Sequence, residues 1–79
     1  MTIQEKFGLR VKELRKEKSL SQEALANIAE IDRTYMTSLE NGKRNISLQN
    51  IDKVIKALDL TIDEFFDSPL FKNSKKKKK

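Results

Sequence analysis

Arg33, Thr34, Thr37, Ser38 and Asn41 fall at i, i+1, i+4, i+5 and i+8, a spacing that lines them up as one stripe if the segment is helical. The stripe is rich in hydrogen-bonding groups and contains no acid. Such a row suits the floor of a DNA major groove, where base edges offer acceptors, amines and thymine methyls between two lines of phosphates. Arg33, at the leading end, can hold guanine O6 and N7 in a bidentate contact, and Thr34 can offer its methyl to thymine. The plainer alternative is the solvated face of any amphipathic helix. What favours the groove is the segment that precedes the stripe. Catalysis finds no comparable set, because the chain has no His and no Cys and so lacks the usual general bases, thiol nucleophiles and soft metal ligands. Gly8 and Gly42 are the only glycines, too few for a phosphate-cradling loop. Asp63, Glu64 and Asp67 cluster, but at an expected helix start, where acids complement the dipole. No catalytic residue, metal, cofactor or small-molecule ligand is expected.

A reading stripe needs a rod held at a fixed angle. Ser21 is a good N-cap, Gln22 and Glu23 suit a first turn, and Leu25, Ala26 and Ala29 form an apolar face, so a helix is expected over residues 22–29. Glu30, Ile31 and Asp32 leave room only for a turn. Asp32 then caps a second helix over residues 33–41, with Met36 and Leu39 inward, Tyr35 at the edge and Gly42 in a left-handed closing position. Two short helices joined by three residues have the proportions of a helix-turn-helix. Their steep crossing requires small side chains at the contact, which Ala26 and Ala29 supply.

Around this pair the remaining elements read as helices too. Thr2 and Glu5 form a capping-box signature ahead of the stripe Ile3, Phe7, Val11 and Leu14, predicting a first helix over residues 3–18. Its other faces carry Lys6, Arg10, Lys12, Arg15, Lys16 and Lys18, expected to be solvated with Arg15 as the exception. Lys43, Arg44 and Asn45 make a polar loop, after which Ser47 caps a helix bearing Leu48, Ile51, Val54, Ile55 and Leu58. Thr61 with Glu64 opens a short fifth helix through Ile62, Phe65 and Phe66, and Pro69 is expected to end regular structure. Phe65, Phe66, Leu70 and Phe71 are expected to leave apolar surface that one small monomer cannot cover, a dimer seam.

Seventy-nine residues make one domain. The net charge of +5 equals the contribution of the lysine run at 75–79, so residues 1–74 balance at 12 basic and 12 acidic groups. The balance is uneven: residues 1–44 hold nine basic and seven acidic groups, against three and five in 45–74. A basic half around the helix-turn-helix favours DNA on that side. The lysine run would add either attraction to phosphate without sequence recognition or mere solubility. No apolar run reaches membrane-spanning length and the first residues hold no signal region, so a cytoplasmic location is expected. The fold expected is a compact, all-α five-helix domain over residues 1–68, with a basic, disordered tail at 69–79.

The runs LSQEALA, DRTYMTSLENGKRN and SLQNIDKVIKALDL together resemble the Cro/C1-type (XRE) helix-turn-helix regulators, with their lambda-repressor-like fold, over about residues 6–66. Within that family, D-R-T-Y and K-R-N look most like the controller proteins of restriction-modification systems. The resemblance implies a homodimeric transcription regulator bound to palindromic operators, with a phage-type repressor or an antitoxin of the same fold as alternatives. A protein-interaction module with incidental DNA affinity is the alternative of a different class. The resemblance also implies that Gln22 binds a phosphate, that Arg33, Thr34 and Ser38 reach base edges, and that Asn41, Lys43 and Arg44 approach the backbone or a neighbouring base; Asn45, in the same polar loop, is expected to bind DNA with them. Tyr35 sits beside the bases in controller-like sequences, and its ring equally fits the edge of the core. Arg15 and Glu40 correspond to a partly buried salt bridge that locks the first helix to the second motif helix. Glu30 stands where the family usually has Gly, so it must accept positive φ at a cost of about 1 kcal/mol.

Overall fold

The fold is that of a computed structural model describing residues 1–72. Five α-helices follow one another: α1 (Ile3–Glu17), α2 (Gln22–Ala29), α3 (Arg33–Glu40), α4 (Leu48–Ala57) and α5 (Ile62–Phe66), and a single 3-10 turn, Pro69–Phe71, comes last. The expected tail lies outside the described residues from 73 onward. Every helix starts at the cap read from its sequence. Thr2 and Thr61 complete reciprocal capping boxes with Glu5 and Glu64, while the side chains of Ser21, Asp32 and Ser47 accept from backbone N–H groups of the first turn. The Thr2 backbone N–H donates to Glu5 at 2.8 Å, the foremost cause holding that carboxyl below its usual range.

The helix ends share a device that the composition does not announce. A left-handed residue is followed by one whose N–H reaches back five positions: Leu20 to Arg15, Ile31 to Ala26, Lys43 to Ser38 and Leu60 to Ile55. Gly42 takes the left-handed position after α3 at φ +73°, but Ser19, Glu30 and Asp59 take it elsewhere at φ 58°, 59° and 60°. Glu30 therefore accepts the strain expected of it. The residues that follow, Leu20, Ile31 and Leu60, pack against the core, and their burial offsets the left-handed cost.

That core joins all five helices through Phe7, Val11, Leu14, Leu25, Ala26, Met36, Leu39, Val54, Ile55, Leu58 and Phe65. α3 packs between α1 and α2, α2 also lies on α4, and α5 rests on α4. The approach of α1 to α3 is permitted by Gly8: an added Cβ would press on the Leu39 carbonyl and sit 2.6 Å from that of Glu40. Gly8→Ala is expected to cost about 1–3 kcal/mol in urea denaturation, since α1 must lift away from backbone rather than from a yielding side chain. A loss below about 0.5 kcal/mol would show that this contact is slack.

The apolar stripes are not buried along their whole length. Ile3, Leu48 and Ile62, each the first residue of its helix, are 61%, 84% and 61% exposed. A groove of about 220 Å³ runs beside Ile3, Phe7, Ile46, Ile51 and Phe66. Phe65, expected in an exposed seam, is instead wholly buried, because Phe7 and Phe66 close on its ring at centroid distances of 5.0 and 4.9 Å. Pro69 does not end regular structure. It opens the 3-10 turn under the Ser68 cap, which brings the Phe71 ring 4.8 Å from that of Phe66.

Candidate nucleic-acid interface

The candidate face is built on α3, whose inner side is Met36 and Leu39, both fully buried. With those two inward, Arg33, Thr34 and Asn41 are exposed and Thr37 and Ser38 are half-buried. The side chains of Arg33, Thr34, Ser38 and Asn41 make no hydrogen bond within the described residues. Their donors and acceptors are free to meet base edges. The Asp32 carboxylate, the nearest acid, is taken up by the N–H groups of Thr34 and Tyr35 at 2.9 and 3.3 Å.

What orients α3 is a buried charge cluster. Arg15 donates from Nε to Glu40 Oε2 at 2.7 Å and from Nη2 to Oε1 at 3.0 Å, a two-pronged contact that an ammonium cannot copy. Its remaining nitrogen donates to the Leu20 carbonyl at 2.8 Å. Only 1% of the Glu40 side chain is exposed. Hydrogen bonding to Glu40 foremost, against the opposing effect of burial, holds Arg15 above its ordinary range. The pair ties α1 to the last turn of α3 as the resemblance implied.

Gln22 is placed differently from a free phosphate ligand. Its amide nitrogen donates to Glu40 Oε1 at 2.9 Å, and its oxygen accepts from the Thr37 hydroxyl at 3.0 Å. Beyond α3, Lys43, Arg44 and Asn45 are all exposed. The Arg44 guanidinium lies 4.8 Å from the centre of the Tyr35 ring, a cation–π contact. Tyr35 is half-buried and packed against the core, so its ring serves as core edge and as the seat of Arg44 together.

Three contacts of α1 escape a reading of the sequence, two of them at the loop that follows α3. Gln4 donates to the Asn45 side-chain oxygen at 2.5 Å and so pins the loop to α1. Glu5 lies against Gly42, where a Cβ would come within 2.7 Å of its side chain. Arg10, expected on a solvated face, caps the C-terminus of α5 by donating to the Phe65 carbonyl at 2.6 Å and to that of Glu64 at 3.1 Å. No sequence signal marks the partners of Gln4 or Arg10, which lie 41 and 55 positions away. Among the described residues no helix is long and apolar enough to cross a membrane, and no group of three or more acids is placed to hold a metal.

Comparison with known proteins finds relatives in sequence and in structure. A family profile described as Helix-turn-helix matches residues 11–65. The chain is 51% identical over 65 residues to the control protein C.MunI of Mycoplasma sp, covering 81% of this chain and 88% of that one. It is similar in structure to the restriction-modification controller protein C.AhdI from Aeromonas hydrophila, with a TM-score of 0.76 and 49% identity over 80% of this chain and 96% of the other. The restriction-modification controller C.Esp1396I, solved as a tetramer in complex with its natural 35-base-pair operator, matches with a TM-score of 0.80 and 30% identity, covering 85% of this chain and 88% of that one.

Proposed function

The chain belongs to the helix-turn-helix family and, within it, to the restriction-modification controller proteins, and from that premise we propose that it is a sequence-specific transcription regulator acting as a homodimer on palindromic operators. The observation that carries the reading is the acid-free row on α3, with Arg33, Thr34 and Asn41 exposed and Ser38 half-buried, while the buried Arg15–Glu40 pair holds the helix from behind. Arg33, Thr34 and Ser38 read base edges, with Tyr35 beside them. Gln22, Asn41, Lys43, Arg44 and Asn45 fix the register on the phosphates. We assign it no enzymatic role, and a cytoplasmic location, where an operator is reached.

Residues 1–68 carry DNA binding and dimerisation in this reading, the turn Pro69–Phe71 packs against them, and the lysine run at 75–79 adds attraction to phosphate without sequence preference. The second copy covers the apolar ends of α4 and α5, where Leu48 and Ile62 stand exposed. A two-fold dimer presents its α3 helices to one side of the duplex, so half-sites are spaced by about one turn, roughly 34 Å.

Selection from random oligonucleotides with the purified protein tests this, and should return a two-fold symmetric site. Arg33→Ala is then expected to relax preference at one base pair of each half-site by about 1–3 kcal/mol, while Lys43→Ala weakens binding to all sequences alike and lowers the salt slope by about one. Equal losses on every sequence from both variants would contradict the division of roles.

A further inference from the structure

We infer that Thr37, although it lies in the reading row, is a positioning residue: its hydroxyl sets the orientation of the Gln22 amide, so that Gln22 keeps one N–H to offer a DNA phosphate. The inference rests on the proposed function above, in which Gln22 is a phosphate ligand.

The chemistry leaves one orientation of the Gln22 amide. A carboxylate only accepts hydrogen bonds, so the Gln22 atom 2.9 Å from Glu40 Oε1 must be the amide nitrogen. The amide oxygen then faces the Thr37 hydroxyl at 3.0 Å, and because that oxygen also only accepts, the hydroxyl must donate. A hydroxyl has one proton. The Arg33 carbonyl, 3.2 Å from the same hydroxyl, competes for it, so Thr37 has none left for a base. Gln22 is half-buried, and its second N–H meets no acceptor among the described residues. Gln22 is itself the first residue of α2, the end of a helix whose dipole favours an anion.

Glu40 thereby serves two residues. It accepts from Arg15 on both oxygens and from Gln22 on one, so a single buried carboxylate holds α1 and the first residue of α2 against α3. Were Thr37 to lose its hydroxyl, the Gln22 amide would keep one tether instead of two. It could then rotate away from the phosphate.

Thr37→Val removes the hydroxyl at nearly constant volume, and Thr37→Ser keeps it. In the free protein, the Gln22 side-chain amide protons should shift in the NMR spectrum of Thr37→Val and return towards their original positions in Thr37→Ser. On the selected operator, Thr37→Val should weaken binding about three- to tenfold, the size of one hydrogen bond, by the same factor on unrelated duplex, and with an unchanged base preference. Operators carrying single methylphosphonates identify the phosphate whose neutralisation no longer matters in Gln22→Ala. Its effect should shrink in Thr37→Val as well and be restored in Thr37→Ser. Unmoved Gln22 resonances, or a base preference altered by Thr37→Val at one position, would overturn the inference and leave the proposed function standing. A wild-type protein that selects no sequence overturns the proposed function itself.

Discussion

Glu40→Ala is expected to lower the free energy of unfolding by about 3–5 kcal/mol in urea denaturation, because it leaves the Arg15 guanidinium buried without its anion. A domain of this size holds roughly 4–12 kcal/mol in total, so the variant stands near the edge of folding at 37 °C. Arg15 has only the Leu20 carbonyl to fall back on, and Gln22 loses an acceptor at the same moment. Operator binding should be recovered in the cold, where the folded fraction returns, though α3 is then held by packing alone. The informative comparison is Arg15→Met with Glu40→Leu, which removes both charges and should restore most of the lost stability. If Glu40→Ala costs less than about 1 kcal/mol, the pair behaves as a surface contact and cannot be what orients α3.

Phe65→Ala is expected to cost about 3–5 kcal/mol, since a fully buried ring is replaced by a cavity its neighbours cannot fill. The ring is boxed by Phe7, Phe66 and Phe71 at centroid distances of 5.0, 4.9 and 6.3 Å. The Phe65 carbonyl is also the anchor of Arg10, so loosening α5 releases it from α1. Because α5 contributes to the proposed dimer face, sedimentation should show a larger monomer fraction before the far-ultraviolet signal falls. Ile62→Ala, three residues earlier and exposed, should leave monomer unfolding within about 0.5 kcal/mol and act on dimerisation alone. Similar stability losses from the two variants would mean that α5 has no distinct inner and outer side.

The contrast between Phe65 and Ile62 shows where sequence reasoning holds and where it stops. Apolar spacing located both on a helix, and the caps at Thr2, Ser21, Asp32, Ser47 and Thr61 placed every helix start, because a cap is a bond between a side chain and backbone three residues away. Spacing could not say which apolar positions a neighbour covers. Ile3, Leu48 and Ile62 begin stripes that continue into the core, yet each, at the very start of its helix, stays exposed.

The same boundary runs through the candidate site. Local chemistry determined the helix-turn-helix and the acid-free row on α3, since each depends on residues within a turn or two of one another, while the left-handed residue at Glu30 was implied by the family resemblance. Tertiary structure alone decided that Arg10 caps α5 across 55 positions of chain, that Gln4 holds Asn45 across 41, and that Gln22 is shared by Glu40 and Thr37. The reason is physical: a polar side chain away from its own helix face takes whichever partner the packed helices bring within 3 Å, and that choice is made only when the core closes.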